Sequence, residues 1–128
     1  MPANLVEQLK SKAKTLGKTI ILPETEDERV LRATEIIIKE GIAKIALVGN
    51  EEEIRKNAAK IGVSVEGAIF YDPNNCKTID IMAEVLRKRR EKKGMTFETA
   101  KATLLSDPRF FGAMLVQDGR ADGMVAGS

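Results

Sequence analysis

Apolar positions along this chain fall into two rhythms. Three short apolar runs, at residues 18–22, 44–48 and 67–71, have the length and continuity of buried strands. Between them the spacing lengthens: Val30, Leu31, Thr34, Ile37 and Ile38 share one face of a helix at a period of about 3.6 residues. Turn chemistry marks the boundaries. An opening amphipathic helix over 5–16 stops at Gly17, and Pro23 ends the first strand. Thr25 precedes Glu28 at capping-box spacing, in which each side chain satisfies an orphan amide, and Gly41 closes the helix that follows. The unit then repeats as a strand over 44–48, a cap at Asn50 with Glu53, and a helix running to about Lys60.

The third strand leads to a turn at Asp72-Pro73-Asn74-Asn75. Ile79, Met82, Ala83 and Leu86 mark the buried stripe of a long helix ending near Lys93 and Gly94, and residues 96–105 form another. Asp107-Pro108 is a cap with proline at the first helical position. Phe111, Met114 and Leu115 give that helix its apolar face, and Gly119 stops it before a fourth strand over 123–126. Repeated strand–turn–capped-helix units predict an α/β fold, a three-layer α/β/α arrangement around a mainly parallel sheet. Without repeats, low-complexity stretches or linkers, residues 1–128 read as a single α/β domain. The last strand runs into Gly127-Ser128, which looks like the start of a strand-to-helix turn. A strand left there lacks its crossover helix, so a longer protein is expected.

Composition sharpens this picture. The 128 residues carry 21 Lys+Arg and 19 Asp+Glu, a net charge of +2, which describes a mixed surface and not a nucleic-acid footprint. With 43% apolar residues there is enough for one core. No apolar run approaches the roughly 18–20 residues that span a bilayer, and the first residues lack a basic segment leading into an apolar one. One cysteine fits a reducing compartment, so a soluble cytoplasmic chain is the expectation. The count of zero histidines excludes Ser-His-Asp and Cys-His nucleophiles and histidine zinc sites within this chain. Chemistry here must use carboxylates, Lys/Arg, hydroxyls, amides or one thiol, or residues elsewhere.

Four constellations remain. The turn Pro23-Glu24-Thr25-Glu26-Asp27-Glu28 carries four carboxylates and no glycine, so it suits a helix dipole and repels a nucleotide phosphate. Arg87-Lys88-Arg89-Arg90-Glu91-Lys92-Lys93 reads either as a solvated helix end or as an anion site gripping phosphate with guanidinium forks. Cys76, with no histidine or second cysteine, has no assigned role. The segment 118–123 is turn chemistry. The strand end at Gly127-Ser128 lies where open α/β sheets place ligands.

Taken together, Pro23-Glu24-Thr25-Glu26-Asp27-Glu28-Arg29-Val30-Leu31-Arg32-Ala33, Ile45-Ala46-Leu47-Val48-Gly49-Asn50, Lys93-Gly94-Met95-Thr96 and Ala121-Asp122-Gly123-Met124-Val125-Ala126-Gly127 resemble the phosphate acetyltransferase family, in its order and over nearly the whole chain. The resemblance implies reversible acetyl transfer between coenzyme A and inorganic phosphate. It also implies a cytoplasmic homodimer whose two α/β domains resemble the isocitrate/isopropylmalate dehydrogenase fold, this chain being an incomplete first domain. Coenzyme A is then a substrate, with no tightly bound cofactor, metal, nucleic acid or membrane partner. The family's main catalytic Ser, Arg and Asp lie downstream, leaving no catalytic residue in this chain. A family arginine associated with CoA matches Arg90 by its spacing to Gly94 and Arg87 by its preceding leucine, and Ser128 joins them as a candidate CoA contact. Phosphate butyryltransferases share parts of the pattern, and a stand-alone CoA-sensing or dimerisation module is the non-catalytic alternative.

Overall fold

The computed structural model describes residues 2–12 and 17–126. Strands β1 (Thr19–Leu22), β2 (Lys44–Val48), β3 (Ile69–Tyr71) and β4 (Gly123–Met124) form a parallel sheet in the order β3-β2-β1-β4. Helices α1 (Pro2–Lys12), α2 (Glu28–Lys39) and α3 (Glu51–Lys60) cover one face, and α4 (Ile79–Arg89), α5 (Phe97–Ser106) and α6 (Pro108–Gln117) the other. The fold is therefore the expected three-layer α/β/α arrangement.

Continuous apolar runs were needed because both sheet faces are covered. Ile20 and Leu22 of β1 pair with Ile45 and Leu47 of β2, and all four pack with α1–α3. Ile21, opposite Ala46, points the other way into the layer of α4–α6. Strands β1, β2 and β3 step in one direction with α2 and α3 on one face. The chain then returns past them to β4 across the other face. Right-handed crossovers require this change of face when the direction of travel reverses. The reversal places a topological switch point between β1 and β4, outside whose carboxyl ends such sheets bind ligands.

Several boundaries differ from the sequence reading. The capping box at Thr25 does not form. Its hydroxyl donates instead to the Val48 carbonyl at 3.0 Å, and the residue is buried. Thr25 thus ties the β1–α2 turn to the end of β2, and Asp27 becomes the cap, accepting from the Arg29 amide at 2.9 Å. The third strand is shorter than 67–71, because Gly67 adopts φ +94° and packs against Ile38, where a Cβ would come within 3.3 Å of its Cγ2. The fourth is also shorter, as β4 pairs only with Ile20 and Ile21. Asn50 caps α3 through the Glu53 amide, as its spacing predicts.

The Arg29 side chain also donates to both oxygens of Asp27, at 3.1 and 2.7 Å, and holds its carboxyl below the ordinary 3.8. Asp27→Ala should cost about 1 kcal/mol at neutral pH, the usual worth of such a cap. A lowered folded-state pKa contributes stability above the unfolded value and loses it as pH falls. Chemical denaturation should therefore show the gap between Asp27→Ala and the parent narrowing below about pH 4. A gap independent of pH there would contradict the assignment of the cap.

Candidate functional site

Two of the pockets on the described surface bear on the candidate residues. The first lies at the carboxyl ends of β1, β2 and β3, where a pocket of about 360 Å³ is lined by Thr25, Glu26, Asn50, Glu53, Asp72 and Asn74 among others. Its charged lining is entirely acidic. Moreover, the α2 amides that a phosphate would approach are already capped by Asp27, so an anion would have to displace a carboxylate. The acidic turn is thus a capped helix start, unsuited to phosphate.

The second place is the end of α4. The sequence predicts this helix to run to about Lys93, but it stops at Arg89. Arg90 caps it, its amide donating to the Leu86 carbonyl at 3.1 Å. One turn of 3-10 helix follows at Glu91–Lys93, and Gly94 then turns the chain at φ +79°, a backbone state that glycine adopts without strain. Thr96 caps α5 through the Thr99 amide.

This geometry separates the two candidate arginines. Arg87 is clamped along its own helix. It donates to both oxygens of Glu84, at 2.9 and 2.6 Å, and to Glu91 at 3.3 Å. Those hydrogen bonds hold the Glu84 carboxyl below its usual range and bind the Arg87 proton more tightly. Arg90 has no such clamp. Its guanidinium lies over the Phe110 ring of α6, 5.0 Å from the centroid. With Arg89, Lys93, Leu86, Phe110, Ala113 and Met114 it lines a pocket of about 350 Å³. No carboxylate lines this pocket, and none pairs with Arg89, Arg90 or Lys93 among the described residues. An apolar floor with three cations at its rim is suited to an anion carrying an uncharged body.

Phe110 was not foreseen, since it falls outside the buried stripe of Phe111, Met114 and Leu115. It is half-buried and packs at the edge of the α4–α6 layer, next to that stripe. Ser128, the remaining candidate, lies outside the described residues, as does Gly127. Cys76 is half-buried, 3.6 Å from the Thr78 hydroxyl and 3.9 Å from the Met82 sulfur. Among the described residues no group of acidic, histidine or cysteine side chains is placed to hold a metal ion, and no helix is long and apolar enough to cross a membrane.

The same fold occurs in known proteins. A phosphotransacetylase from Streptococcus pyogenes superposes with a TM-score of 0.77 at 35% identity, over 98% of this chain and 37% of that one. A phosphotransacetylase from Staphylococcus aureus gives 0.76 at 32% identity, over 98% and 38%. By sequence, the phosphate acetyltransferase of Acetivibrio thermocellus is 44% identical, and that of Thermoanaerobacterium thermosaccharolyticum 41%, each over 98% of this chain and 37% of the relative. The chain thus spans little more than a third of the length of these relatives. The phosphate acetyl/butaryl transferase family matches residues 4–128, and with the shared fold this establishes that the chain belongs to that family.

Proposed function

We propose that this chain is the N-terminal part of a two-domain phosphate acetyltransferase, a cytoplasmic homodimer that interconverts acetyl-CoA plus phosphate and acetyl phosphate plus CoA. The observation that carries its part in the reaction is the carboxylate-free cationic pocket at the end of α4. Coenzyme A is an anion with a long uncharged arm, and its 3′-phosphate is the group that Arg90 would receive. Guanidinium and phosphate make paired, charge-assisted hydrogen bonds, and Arg90 has its donors free for them. Arg87, spent on Glu84 and Glu91, supports the helix end instead. Ser128, which lies outside the described residues, is assigned to the same substrate on the family resemblance alone.

In the whole enzyme a carboxylate outside this chain takes the CoA thiol proton. The thiolate attacks the carbonyl of acetyl phosphate, the C–O bond to phosphate breaks, and phosphate leaves with the electron pair. Serine and arginine groups steady the developing charge. No histidine is required, which accords with the absence of that residue from this chain.

The test is kinetic, on the whole enzyme. Arg90→Ala should raise KM for CoA by roughly 10–150-fold with little change in kcat, the worth of one charge-assisted contact, about 1.5–3 kcal/mol. Arg87→Ala should leave KM for CoA near the parent value. With dephospho-CoA, which lacks the 3′-phosphate, Arg90→Ala and the parent should converge. If both variants use CoA and dephospho-CoA as the parent does, the basic run is a solvated helix end and the assignment falls.

A further inference from the structure

We infer that Phe110 is a positioning residue for the anion site, holding the Arg90 guanidinium ready at the pocket without consuming its hydrogen-bond donors; this rests on the reading of Arg90 as the contact to the CoA 3′-phosphate. Arginine is long and flexible, and an unheld one must be ordered by the ligand at the ligand's expense. The protein orders arginines in two ways on this one helix end. Arg87 is fixed by carboxylates, which occupy the N–H groups that an anion would need. Arg90 is fixed by a ring face, with its guanidinium carbon 5.0 Å from the Phe110 centroid. A cation–π contact draws on the charge and leaves the N–H fork open.

The backbone supports the same division. Arg90 is anchored where α4 gives way to the 3-10 turn. Its amide donates to Leu86, and its carbonyl accepts from Lys93 at 2.9 Å and Met95 at 3.3 Å. The Cα is therefore fixed, and only the side chain needs a guide. Phe110 is only partly buried and packs at the edge of the core beside the fully enclosed Phe111, an apolar contact that leucine can also make. What an aromatic supplies there, and leucine does not, is the electron-rich face beneath a cation.

The experiment is a double-mutant cycle in the whole enzyme, read as KM for CoA and for dephospho-CoA alongside kcat. Phe110→Leu should raise KM for CoA about two- to fivefold, the range expected for losing an exposed cation–π contact, with kcat unchanged. Phe110→Tyr, which keeps the ring, should restore the parent value. In an Arg90→Ala background Phe110→Leu should have no further effect, and with dephospho-CoA it should have none in either background. A merely structural role would not follow the 3′-phosphate in this way. If Arg90→Ala raises KM but Phe110→Leu does not, the positioning role is overturned while the phosphate contact stands. If Phe110→Leu costs the same factor with and without Arg90, the ring acts independently and the inference is again overturned. If Arg90→Ala itself changes nothing, the reading beneath it has failed.

Discussion

Replacing Phe111 by alanine should remove about 3–5 kcal/mol of folding stability, the usual cost of emptying a buried aromatic site. Phe111 is 0% exposed and belongs to the layer between the sheet and α4–α6. There it shares a cluster with Ile21 of β1, Ala46 and Val48 of β2, Leu104 of α5 and Leu115 of α6. Elements distant in sequence meet in this layer, so the surrounding side chains cannot collapse into the gap without moving a helix off the sheet. The total stability of a domain is only about 5–15 kcal/mol, so the variant should unfold at a far lower urea concentration. Circular dichroism through a urea titration measures this. A loss under about 1 kcal/mol would mean that α6 is not seated on the sheet through Phe111. Phe110→Leu is the natural control: a change at the adjacent, half-buried ring, which packs only at the edge of this layer, should lower the urea midpoint far less.

Much of this architecture was legible because local and tertiary requirements agree. The run 45–48 is apolar throughout because both faces of β2 are covered there, and Asn50 caps α3 because nothing else claims its side chain. Thr25 shows where such reading stops. Its spacing to Glu28 satisfies the capping rule, but the hydroxyl is taken by Val48, a residue brought beside it only by sheet pairing. No local pattern contains that competitor. The basic run is a different case, since its division was available in the sequence. Arg87 has Glu84 three residues before it and Glu91 four after, the spacings at which helical side chains meet. Arg90 has Leu86, Arg87, Lys93 and Gly94 at the same spacings, none of them acidic. The family pattern left Arg87 and Arg90 as alternatives, and the acids at helical spacing distinguish them. Phe110 beneath Arg90 depends on α6 lying against the end of α4, which only the folded chain shows.

Gly112 was passed over for a similar reason, and it yields the second large effect. A glycine inside a helix ordinarily costs roughly 1 kcal/mol relative to alanine, so an interior one invites a reason. Here the helix rests directly on the sheet. A Cβ built on Gly112 would lie 2.8 Å from the Met124 sulfur and 3.1 Å from Cγ2 of Ile21. Those atoms belong to β4 and β1, the strands flanking the switch point. Gly112→Leu should therefore destabilise the fold at or beyond the upper end of the roughly 1–3 kcal/mol typical of overpacking, because its whole side chain must enter a space too small for one carbon. Gly112→Ala should be much milder. Its helix gain offsets part of the clash, and the Met124 side chain can swing aside, although Ile21, enclosed within the core, has less freedom to yield. The order of urea midpoints should be parent and Gly112→Ala close together, with Gly112→Leu far below. A Gly112→Leu variant as stable as the parent would show that α6 does not approach the sheet this closely. Should the whole enzyme with Gly112→Ala remain folded yet show a raised KM for CoA, α6 would be identified as the element that carries small shifts at the switch point to Phe110 and Arg90.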